Sequence, residues 1–134
     1  MKKLQSFALL FLPLALVLGG CATAYQRTGL EGGYEETQLA PDVYRVSFRG
    51  NAVTEPERAQ DFALLRAADL TLQNGYTHFV VRSEQESTRH VMTRFGMLSR
   101  PRSGIMVQLL RGPAPGALEA KFLRNSMRTK YQLR

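Results

Sequence analysis

Residues 50–76, GNAVTEPERAQDFALLRAADLTLQNGY, constrain the fold more than any other stretch of the chain. Thr54 and Glu57 stand three apart, the spacing of a capping box in which each side chain satisfies the other residue's backbone N–H, and Pro56 suits a first turn that needs no donor there. Asn74-Gly75 supplies the stop, because glycine tolerates the left-handed conformation that follows a helix. The spacing predicts a helix from about 55 to 74. Phe62, Leu65 and Leu72 lie on one side of it, and Ala59, Ala63, Ala67 and Leu70 on another. Such a helix has to be covered on two sides. The alanines allow close approach to a sheet; the larger side chains need a second cover.

The flanks supply the sheet. Tyr44, Val46 and Phe48 alternate with Arg45, Ser47 and Arg49, the pattern of a strand over 43–49 with one buried face. Phe79, Val80 and Val81 begin another strand, with Ser83 to Ser87 as its exposed continuation or a turn. Residues 97–104 read as a basic loop around Arg100-Pro101-Arg102; Ile105, Val107 and Leu109 alternate as a third strand, ended by GPAPG at 112–116. Ala120, Leu123, Met127 and Tyr131 then recur at helical spacing, and Lys130 and Arg134 suit a helix C-terminus.

The expected architecture is α+β: a small mixed three-stranded sheet in the order β-α-β-β-α. A right-handed parallel crossover joins its first two strands, the third returns as a hairpin, and the first helix packs on one face. The second helix, or a second copy of the chain, would cover what remains. Residues 22–40 show no sustained period and read as a mobile tether before a single domain at 41–134.

Ahead of that tether, Lys2 and Lys3 precede an apolar run of residues 7–18, then Gly19, Gly20 and Cys21. A charged start, a short apolar stretch and small residues at its end make a secretory signal over 1–20. The run is too short for a span of roughly twenty apolar residues, and Pro13 interrupts it. A buried N-terminal helix is the competing reading. Leu18-Gly19-Gly20-Cys21 resembles the bacterial lipobox, which implies cleavage before Cys21 and a diacylglyceryl group on its sulfur. Each buried acyl methylene contributes about 0.8 kcal/mol, and two chains or more hold firmly. The resemblance implies a lipid anchor facing the periplasm, with Ala22 after the cysteine favouring the outer membrane. Cys21 is the only cysteine, so no disulfide is available.

Without Lys2 and Lys3, 16 basic residues stand against 11 acidic ones. They are unevenly placed: residues 22–69 hold five arginines and eight acids, whereas 70–134 hold eleven basic residues and three acids. The second half is where an anionic partner would bind. Beyond an export signal that partner is not nucleic acid but lipopolysaccharide, anionic phospholipid, the glycan wall or an acidic periplasmic protein. Arg100 and Arg102 are the expected contacts. A flexible, solvated basic loop explains them equally well.

Catalytic chemistry has little to stand on. There is no G-x-S-x-G, H-E-x-x-H, P-loop or C-x-x-C, and no serine has a histidine and an acid at a recognisable spacing. No cofactor is expected. His78 and His90 would lie about 40 Å apart on one straight strand, at roughly 3.3 Å per residue. Only a turn centred on Glu84 would bring them together as metal ligands, with Glu84 or Glu86 as a third. Two ordinary surface histidines are the simpler reading. Tyr34 and Arg45 are candidates for a binding surface, Tyr44 for the core and Asp42 for a turn.

GYEETQLAPDVYRVSFRGN at 33–51 and LLRAADLTLQNGYTHFVV at 64–81 resemble an uncharacterised family of small proteobacterial lipoproteins. The family shares G-Y-x-x-T-x-L-A-P-D-x-Y-R-V-x-F-x-G-N, then L-L-R-A-A-x-L-T-L. The resemblance covers residues 33–81 closely and the strand near 105–110 more loosely. It brings no activity, ligand or catalytic residue. The helix with Leu-Arg and Ala-Ala followed by glycine and a strand is also similar to envelope-stress lipoproteins and small periplasmic stress proteins, a likeness of fold alone. The expectation is a non-enzymatic lipid-anchored module that binds or supports envelope components. A stress-sensing or signalling lipoprotein with a protein partner is the alternative, and a metal-binding or catalytic domain a distant third.

Overall fold

A computed structural model describes residues 21–134; the signal assigned to 1–20 lies outside them. The elements run β1 (Gly33–Ala40), β2 (Val43–Arg49), α1 (Pro56–Gln73), β3 (His78–Thr93), β4 (Gly96–Leu110), β5 (Leu118–Glu119) and α2 (Ala120–Lys130). They form one sheet in the order β1-β2-β4-β3-β5. The α+β class holds, but the sheet has five strands where three were expected, and every hydrogen-bonded pair in it is antiparallel. The expected parallel contact does not form. β4 inserts between β2 and β3, the two strands that α1 connects, so they run in the same direction without touching.

The expected tether is the largest correction. Residues 33–40 are β1, paired along its length with β2. Its inward positions are Tyr34, Glu36 and Gln38, opposite Phe48, Val46 and Tyr44. No apolar alternation betrays such a strand. Glu36 is neutralised from above instead: Arg66 on α1 meets it through two hydrogen bonds, at 2.9 and 3.2 Å, and the same guanidinium lies 4.4 Å from the Tyr34 ring centroid. These bonds hold the Glu36 carboxyl below the usual carboxylate range.

The chain before β1 is also built into the domain. Thr23 is buried; its hydroxyl donates to the Glu31 carbonyl at 2.7 Å and its N–H to Thr54 Oγ1 at 3.0 Å. Thr54 is therefore engaged with the N-terminal arm and with Asn51, and the capping box with Glu57 does not form: α1 begins after Glu55 with no side-chain cap.

The expected basic loop at 97–104 is instead the first half of β4, despite Pro101. In a strand a residue's N–H and C=O point the same way. The Pro101 carbonyl accepts from Gly50 N at 2.8 Å, so its missing donor falls where β2 has ended. Ser83 to Ser87 continue β3 rather than turning.

α1 is covered on two sides as its sequence requires, by the sheet and by α2. Phe62 sits at the junction, its ring centroid 5.1 Å from Phe48, 4.8 Å from Tyr131 and 5.5 Å from Tyr25. Leu123, Met127 and Tyr131 of the second helical stretch pack against the core as their spacing implies. Two phenols lock this face: Tyr131 donates to Asp61 and Tyr25 to Asp69, each at 2.6 Å. Burial and then the carboxylate push Tyr131 up to about 12, and the same two causes raise Tyr25 further. A pKa raised in the folded state gives stability that is complete below the free phenol value of about 10 and is lost as pH climbs through the folded value. The melting temperature is therefore expected to fall steeply between about pH 10 and 12. A Tyr25→Phe, Tyr131→Phe variant melted across that range should show a shallower slope, the remainder coming from Lys130, which its bonds to Asp61 and Glu57 also raise, and an unchanged slope would contradict the assignment.

Candidate functional site

Successive residues of a strand face opposite sides. On β4, Ser103, Ile105, Val107 and Leu109 are buried towards the helices, while Arg100, Arg102, Gly104 and Met106 lie on the other face, which no helix among the described residues covers. The register then brings arginines together. Arg102 stands opposite Arg49 on β2, and Arg100 opposite Arg89 on β3. Like charges directly across a ladder are destabilising unless something answers them.

These four arginines line a cleft of about 610 Å³ at the end of β2. Gly32 closes one wall. Its φ is +96°, and a Cβ there would lie 2.2 Å from the Arg49 carbonyl oxygen, so only glycine lets the 29–32 turn settle against β2. Glu31 is the only acid among the lining residues. Arg49 donates to the Thr28 hydroxyl at 2.8 Å, and Arg102 to Glu35 at 3.2 Å across a half-exposed pair. Neither Arg89 nor Arg100 pairs with a carboxylate among the described residues. Charge-assisted bonds from guanidinium groups are the strong contacts of phosphate and carboxylate recognition. A shallower polar groove floored by Gly104 and lined by Arg45, Ser47, Ser83 and Gln85 continues from the cleft, sharing Ser87 and Arg102 with it.

Cys21 belongs to the same end of the molecule. Asn51, a cleft residue, holds the Cys21 carbonyl through Nδ2 at 2.8 Å. Cys21 is exposed, two residues from the buried Thr23.

No protein-family model, curated protein or solved structure matches the chain. The geometry has to be read on its own.

The site residues expected from sequence separate clearly. Arg100 and Arg102 come together as cleft residues, on a strand rather than a loop. Arg45 faces the adjoining groove. Tyr34 is not a surface residue for binding, since it packs between Tyr25 and Arg66. Tyr44 is core, and Asp42 accepts from Gln108 at the β1–β2 turn. His78 and His90 stand twelve residues apart on one strand that passes through Glu84 without turning, so the facing pair that needed a turn there does not form. His90 contacts Ser99 and His78 contacts Thr77, and the described residues contain no group of three or more metal-ligating side chains. No helix among the described residues is long and apolar enough to cross a membrane.

Arg49 and Arg89 were missed. The outward parity of Arg45, Ser47 and Arg49 carried the signal for the first. Arg89 becomes visible only once the pairing of β3 with β4 is known.

Proposed function

We propose that this chain is a non-enzymatic, lipid-anchored lipoprotein of the cell envelope, held by Cys21 in the outer membrane. Its arginine cleft takes a phosphate- or carboxylate-bearing envelope component, and it belongs with the small proteobacterial lipoproteins that its sequence resembles. The observation that carries the ligand reading is the pair of like-charged matches, Arg49 with Arg102 and Arg89 with Arg100, around one cleft. Glu35 answers part of the first pair, whereas no carboxylate among the described residues answers Arg89 or Arg100, and an anion between the four guanidinium groups turns repulsion into attraction.

Titration of the purified protein with lipopolysaccharide, and separately with anionic phospholipid, tests the cleft. Arg49→Ser combined with Arg102→Ser is expected to weaken the preferred ligand by about 100-fold or more, from the loss of two charge-assisted bonds at about 1.5–3 kcal/mol each. Binding by the native protein should also fall as salt is raised. Equal binding by native and variant chains would remove the cleft from the account. Recovery of a specific signalling protein by cross-linking in cells would replace this reading with the stress-sensing alternative.

A further inference from the structure

The distal half of the β3–β4 hairpin extends beyond the end of β2, and its tip is apolar in a banded way. Met92 stands opposite Met97 on one side of the ribbon, and Val91 opposite Leu98 on the other. Phe95 in the turn is 93% exposed, Met92 73% and Met97 60%. The next pairs inward are polar or basic on both sides, His90 with Ser99 and Arg89 with Arg100. At the turn the Arg94 guanidinium lies 5.8 Å from the Phe95 ring centroid.

A ribbon that docks in a protein groove presents one apolar face and keeps the other polar. Here both faces are apolar near the tip and both become polar at the same height. The apolar pairs span two residues per strand, about 7 Å at about 3.4 Å each, and Phe95 carries the band into the turn past Thr93 and Gly96. Peripheral elements bury about 5–10 Å of themselves at the boundary between headgroups and acyl chains. Arg89 and Arg100 would lie at the level of anionic headgroups, and Arg94 can reach back to them along its own stem.

The position of the tip adds a second argument. Gly50 bonds Pro101 and Asn51 holds Cys21, while Phe95 lies six residues beyond Pro101 along the ribbon, about 20 Å away. Leu30 lines the cleft and Val53 donates its N–H to Asn51 Oδ1, so these two exposed side chains belong to this end as well. The geometry points to a second membrane contact: the hairpin tip inserts Met92, Phe95 and Met97 into an anionic bilayer, beside the one reached by Cys21. This contact builds on the anchor reading of Cys21, and its test separates the two.

The chain contains no tryptophan, so Phe95→Trp introduces a single reporter. The full protein carrying it is reconstituted with phosphatidylglycerol-containing vesicles and with purely zwitterionic ones. Co-flotation reports the anchor; emission reports the tip. The expected result is co-flotation with both, and on the anionic vesicles a blue-shifted indole that brominated acyl chains quench. Phe122→Trp, at an equally apolar exposed site on α2, serves as the control and should remain unquenched. A protein that co-floats with an unquenched Phe95→Trp reporter overturns the hairpin contact and leaves the anchor standing. Equal quenching at Phe122→Trp also overturns it. Failure to co-float with either vesicle counts against both.

Discussion

Cys21→Ser is expected to move the protein from the membrane fraction to the soluble periplasm while leaving its melting temperature unchanged. The two halves of that expectation have separate causes. Serine removes the only thiol in the chain and, on the proposed anchoring, the acyl chains whose burial would contribute about 0.8 kcal/mol per methylene. On the proposals above, what would remain is the arginine cleft with its anionic ligand and the hairpin tip, and the arginine contacts weaken with salt. Cys21 is exposed, and the bond from Asn51 goes to its backbone carbonyl, which serine keeps. Fractionation at high salt and a thermal melt of the same preparation check both halves. A processed serine variant still sedimenting with membranes at high salt would show that the anchor is elsewhere.

The largest expected loss of stability comes from Phe62→Ala, about 3–5 kcal/mol for an aromatic truncated in a packed core. That is a large share of the roughly 5–15 kcal/mol that holds a domain together. Phe62 is fully buried and meets three rings that belong to three different parts of the chain: Tyr25 of the N-terminal arm, Phe48 of β2 and Tyr131 at the end of α2. Arg58 lies 5.1 Å from its ring centroid on a further side. These neighbours come from the arm, the sheet and both helices, so they cannot collapse together into the vacated volume, and the cost belongs at the high end. Denaturant unfolding measures it. A loss below about 1 kcal/mol would mean that the ring contributes far less than its burial implies.

α1, β2 and the stripe of α2 were legible because their apolar residues recur at the period of the element. β1 was not, because its inward positions are Tyr34, Glu36 and Gln38, and the strand is neutralised by Arg66 from a helix 30 residues away. The first half of β4 was hidden by Pro101, a residue that forbids a central strand but is accommodated where the neighbouring strand has ended. The cleft was half visible. Arg100 and Arg102 are close in sequence, whereas Arg49 and Arg89 join them only through cross-strand register, which composition does not encode.

The bond from Asn51 to the Cys21 carbonyl also sets how far the domain can travel. Nineteen extended residues, the tether expected from sequence, would allow an excursion of roughly 65 Å at about 3.4 Å each. The two-residue link from Cys21 to the buried Thr23 allows about 7 Å. A lipid on Cys21 therefore makes this protein a fixture of the bilayer surface rather than a leashed probe of the periplasm. On that reading, the ligand of its cleft is met at the membrane.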